Sequence, residues 1–112
     1  MYGIVHFDLP ARDTEKQGEF YGKLFGWKTQ PSGEYLLVNP PAGLGGGLDP
    51  RGRVPVLYIE VESIPETMKK IEARGGKTVM GEMKIDTGDG GDYGKIGLFT
   101  DPEGTLLGLW SK

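Results

Sequence analysis

Sliding the chain along itself by about 50 residues brings one half onto the other. Phe7 falls on Leu57, Leu9 on Ile59, and Gly26 on Gly76. Each half then reads strand, helix, three strands. This repeat constrains the fold more than any other feature. One helix can cover only one face of a small sheet, so the opposite faces must be buried together or enclose something. The expected architecture is α+β. Two βαβββ modules, residues 1–50 and 55–112, form an open, curved eight-stranded mixed sheet with the helices outside. Together they make one domain, 1–112, with "DPRGRVP" as the linker.

The segments carry the expected periods. "GIVHFDLP" alternates, with Val5, Phe7 and Leu9 on one face and Ile4, His6 and Asp8 on the other. "RDTEKQGEFYGKLFGW" reads as a helix capped by Asp13 or Thr14 and stopped at Gly26. Its apolar stripe is expected from Phe20, Tyr21 and Leu24. "WKTQ" and "EYLLVN" read as strands around a turn at Pro31-Ser32-Gly33, and "AGLGGGLD" as a weak fourth strand. In the second half, "VPVLYIEV" alternates: Val56, Tyr58 and Glu60 oppose Leu57, Ile59 and Val61. "SIPETMKKIEARGG" is a helix capped by Ser63, with Met68 and Ile71 inward. "KTVMGEMKI", "KIGLFT" and "TLLGLWS" complete the strands, with a "DPEG" turn before the last.

Composition excludes several classes. The net charge of −3 leaves no basic footprint for nucleic acid or anionic membranes. No apolar run reaches the ~20 residues that span a bilayer, and "MYGIVHFDLP" lacks the pattern of a signal peptide. There is no cysteine, so disulfides, thiolate metal sites and cysteine nucleophiles are out. A cytoplasmic protein is expected. The 20 glycines are not periodic and gather at chain reversals. "GLGGGLD" lacks the lysine and hydroxyl of a phosphate loop, and no helix follows it. "DTGDGGDYG" lacks the spacing and distal glutamate of a calcium loop, and reads as a mobile loop able to close as a lid.

"HFDLPARDTEKQGEFYGKLFGW" and "FTDPEGTLLGL" resemble the opening strand and helix, and the closing turn and strand, of the glyoxalase/bleomycin-resistance/extradiol-dioxygenase group, the vicinal oxygen chelate superfamily. The likeness covers nearly the whole chain, and the closing "GLW" resembles a glyoxalase-related subgroup. Thr105 stands where the family more often has asparagine. The resemblance implies that metal-using members take ligands from the first and last strands of each module. The matching positions here are His6, Val56, Gly108 and a residue near Gly46, with Gly108 where the enzymes carry a glutamate. Only His6 could coordinate, and a divalent site needs about three protein ligands. No metal and no cofactor are therefore expected.

His6, the only histidine, is the candidate acid or base if chemistry occurs. Its plainer reading is a hydrogen-bonded histidine lining the sheet. The ligand cleft is expected to be lined by Asp8, Val56, Tyr58, Glu60, Leu106, Gly108 and Trp110. The two carboxylates could instead lie at a wet rim. Glycine between Leu106 and Trp110 would leave a notch, with Trp110 as a wall for a planar ligand or as a core or subunit contact. The function expected first is metal-independent binding of a small molecule. A metal-dependent lyase, isomerase or dioxygenase is the alternative, and a sequestering or regulatory binding protein a third. A homodimer is expected because open sheet edges invite pairing.

Overall fold

The computed structural model describes residues 1–86, 88 and 90–112. The first alternating segment forms β1 (Ile4–Pro10). A helix, α1 (Thr14–Phe25), follows, with the Asp13 carboxylate accepting from the Lys16 N–H at 3.0 Å and Gly26 ending it at φ 73°. Then come β2 (Lys28–Ser32), β3 (Tyr35–Asn39) and β4 (Gly46–Asp49). The second half repeats the order as β5 (Val56–Glu60), α2 (Ile64–Ala73), β6 (Lys77–Lys84), β7 (Lys95–Thr100) and β8 (Leu106–Ser111). The strands of the first half lie in the order β2-β3-β4-β1, and those of the second in the order β5-β8-β7-β6. In each half the first and last strands run parallel, β1 with β4 and β5 with β8, and the other pairs within that half are antiparallel.

Two compact units divide the chain. One comprises Met1–Ile4, Leu57–Asp86 and Asp92–Lys112; the other comprises Val5–Val56 with the described residues of 87–91. The core of the Val5–Val56 unit is Ala11, Leu36, Val38 and Leu48, with Phe7, Leu9, Tyr21 and Trp27 packed on it. The Tyr21 and Trp27 rings stack with centroids 4.8 Å apart. The other unit buries Val61, Ile64, Met68, Phe99 and Leu109, with Ile59, Ile71 and Leu107 beside them. Phe7 and Leu9 in the first half, and Ile59 and Val61 in the second, face these cores as predicted, but Val56 and Tyr58 on the other face of β5 are buried too. On the core side, only the first apolar position, Val5 or Leu57, is left exposed.

Two expectations are corrected. The first concerns α1, where Phe20 and Leu24 are 52% and 61% exposed and do not form the buried stripe. The buried position is Gly18, against Leu36 and Thr29. Tyr21, three residues on, shares its face. A residue without a side chain lets the helix approach the sheet closely, which turns Phe20 outward. The second concerns the turn between β2 and β3, which is tighter than expected. Pro31 and Ser32 belong to β2, paired with Leu36 and Tyr35, and Gly33 takes the turn at φ 63°. Proline is tolerated there because β2 is an edge strand, where a missing N–H need not break a ladder.

The second helix begins as expected, the Ser63 hydroxyl accepting from the Glu66 N–H at 3.3 Å. Before β8, the Asp101 carboxylate accepts from the Glu103 and Thr105 N–H groups at 2.9 and 3.0 Å. The turn needs only the backbone of Thr105, so threonine serves where asparagine is more usual. The expected lid loop includes residues 87 and 89, which lie outside the described residues. Among the described residues no helix is long and apolar enough to cross a membrane.

Candidate functional site

Alternation in β1 turns Phe7 and Leu9 to the core beneath α1, so His6 and Asp8 lie on the opposite, helix-free face. In β3, Leu36 and Val38 take the core side, which leaves Tyr35 on that same helix-free face. These three side chains meet. The His6 Nε2 lies 3.0 Å from Asp8 Oδ1 and 2.9 Å from the Tyr35 hydroxyl. The Tyr35 hydroxyl donates to Asp8 Oδ1 in a short hydrogen bond. The Asp8 side chain is 14% exposed and that of His6 31%. Asp8 is thus tied into a cluster and is not a solvated rim carboxylate.

Tyr35 is the site residue that sequence reasoning missed. β3 and β1 are separated by β4, and adjacent strands lie about 4.8 Å apart, so the ring must cross an intervening strand. The crossing point is Gly47, which pairs with Leu37 on one side and Asp8 on the other. A Cβ at Gly47 would occupy the outer end of the Tyr35 ring. The available signal was the phase of "EYLLVN" set against "GGG" on the neighbouring strand, but the register that joins them to β1 is not local.

In the other unit, Tyr58 is 5% exposed and pairs with Gly108. A Cβ at Gly108 would run into the Tyr58 ring, so the notch expected at Gly108 is filled by the chain's own tyrosine. Trp110 is half-buried, and its indole N–H donates to the Tyr93 carbonyl at 2.8 Å. Glu60 pairs with Trp110 across the parallel ladder and is half-buried. Leu106 is half-buried, and Val56, which ends the Val5–Val56 stretch of the unit that holds His6, is 8% exposed.

The positions that resemble metal-ligand positions do not fit an ion. His6 is engaged with Asp8 and Tyr35, Val56 carries no donor, and Gly46 and Gly108 have no side chain. A Cβ at Gly46 would strike Phe7. Among the described residues no three His, Cys, Asp or Glu side chains converge as a metal-binding group would require.

No family model matches the chain. A curated relative, "Putative glyoxylase CFP32" of Mycobacterium bovis, is 28% identical over 120 residues, covering 92% of this chain and 43% of its own length. Among solved structures, a glyoxalase/bleomycin resistance protein/dioxygenase superfamily member from Vibrio splendidus has a TM-score of 0.63 and 15% identity, covering 99% of this chain and 98% of that one. The chain has the fold of the glyoxalase/bleomycin resistance/dioxygenase superfamily, and its likeness to the curated relative agrees with the resemblance read from its sequence. Methylmalonyl-CoA epimerase of Mycobacterium tuberculosis has the same fold, with a TM-score of 0.70 and 16% identity over 97% of this chain and 87% of that chain. Identities that low carry the superfamily's fold and no particular activity. The chain spans less than half the length of the curated relative it matches.

Proposed function

We propose that the chain is a small-molecule-binding domain that works without a resident metal. It is a single domain of two modules, 1–50 and 55–112, and acts in the cytoplasm as a homodimer. The observation that carries the reading is the convergence of His6, Asp8 and Tyr35 on a helix-free sheet face. These side chains offer a ligand hydrogen-bond donors and acceptors at a half-buried place, as orienting groups in small-molecule sites do. In the other unit, the half-buried Glu60, Leu106 and Trp110 are the ligand-facing residues of this reading, while Tyr58 covers Gly108. The names of the relative and of the epimerase, a glyoxylase and a protein of methylmalonyl-CoA, support a small organic ligand. The open edges β2 and β6 support pairing of two copies.

Catalysis is the second reading, favoured by three proton-carrying side chains within hydrogen-bonding distance of one another. His6 is then the acid or base of a glyoxalase-related lyase or isomerase. Native mass spectrometry of protein purified from cells without added metal tests the binding reading. The expected result is one small organic compound per chain, lost in His6→Ala. One stoichiometric transition ion per chain, lost in the same variant, would overturn it.

A further inference from the structure

We infer that Tyr35 is a positioning residue of this site: it fixes the His6 imidazole with the proton on Nε2, and Gly47 is the seat that lets it do so. The inference rests on the proposed binding role of β1, but it concerns the unliganded protein. An ionised carboxylate only accepts hydrogen bonds. The Nε2 atom lies 3.0 Å from Asp8 Oδ1, so it must carry a hydrogen there; a bare nitrogen would set two lone pairs against each other. Tyr35 gives its own hydrogen to the same oxygen, which leaves the phenol oxygen as an acceptor for His6 at 2.9 Å. The Nε2 hydrogen therefore has two acceptors, and both depend on Tyr35: its hydroxyl is one of them and, by donating to Asp8 Oδ1, holds the other beside the ring. Neutral His6 then carries its lone pair on Nδ1.

Each part of the arrangement depends on the glycine. Tyr35 starts on β3 and its target is on β1, with β4 between them. Any side chain at Gly47 would occupy the position of the Tyr35 hydroxyl and the end of its ring. The atoms displaced lie at the far end of a rotatable side chain. An alanine there thus moves Tyr35 away while leaving His6 and Asp8 in the sequence.

Because the chain has one histidine, ¹⁵N-labelled imidazole gives a single set of signals. Long-range ¹H–¹⁵N correlation at an alkaline pH, where imidazole is neutral, reports the tautomer. In the wild-type protein we expect a pure Nε2–H pattern with widely separated nitrogen shifts. In Tyr35→Phe and Gly47→Ala the two shifts should move toward each other as the tautomers mix, with unchanged far-ultraviolet circular dichroism. If Tyr35→Phe fails to fold, Gly47→Ala and the wild-type spectrum carry the test. A wild-type ring in the Nδ1–H form, or folded variants with wild-type shifts, would overturn the assignment. None of these readings requires a ligand, so failure to find a bound compound would strike the binding proposal and leave this one standing.

Discussion

At positions 47 and 108 the absent β-carbon is the space in which a tyrosine ring lies. Tyr35 crosses Gly47 and Tyr58 lies against Gly108, one such pair in each unit. The two sites should respond differently to alanine. At Gly47 the clash falls on the end of the ring, which can swing aside. At Gly108 it also involves Cγ of Tyr58, a buried side chain with little room to move. Gly108→Ala should therefore destabilise the fold by about 1–3 kcal/mol, the usual cost of overpacking a core. Urea unfolding with an unchanged m-value would show it, and a midpoint equal to wild type would refute the packing argument. That something approaches Gly108 closely was legible in the sequence, because glycine in a buried strand is unfavourable without a reason. That the neighbour is Tyr58 was not, because the pairing of β5 with β8 joins residues 50 apart.

The helix starts and the turn before β8 followed their local chemistry. Asp13 and Ser63 sit where a short polar side chain can take an otherwise unpaired N–H, and both do so. The "DPEG" turn is held by the Asp101 carboxylate, with Gly104 at φ 87°. Asp101→Ala removes the acceptor for two N–H groups, and should cost about 1–2 kcal/mol by thermal or urea unfolding. A loss well below 1 kcal/mol would mean that water replaces the carboxylate. Packing faces were less local. Counting apolar residues favours Phe20 and Leu24 as the buried face of α1, yet the helix turns Gly18 and Tyr21 inward. A period of 3.6 residues fixes which residues share a face. It does not say that the closest approach to the sheet will fall on a glycine.

For the molecule as a whole, the decisive prediction concerns metal. A bound ion adds stability in proportion to its affinity, so removing it lowers the melting temperature. Dialysis against EDTA should leave the melting temperature of this protein within about 1 °C of the untreated sample, because the donor set at His6, Val56, Gly46 and Gly108 does not fit an ion. A drop of several degrees, restored by one divalent ion, would overturn the metal-free reading. The sequence by itself determined the order of elements, the two repeated halves, which residues share each face of β1, β5 and β8, and the resemblance to the superfamily. These follow from short-range alternation, capping and the 50-residue repeat, all visible along the chain. Only the tertiary structure decided that Tyr35 joins His6 and Asp8, that Tyr58 fills the space over Gly108, and that α1 packs through Gly18. Each depends on strand register between distant segments, and register is set by how whole faces are buried together, which no local pattern of residues encodes.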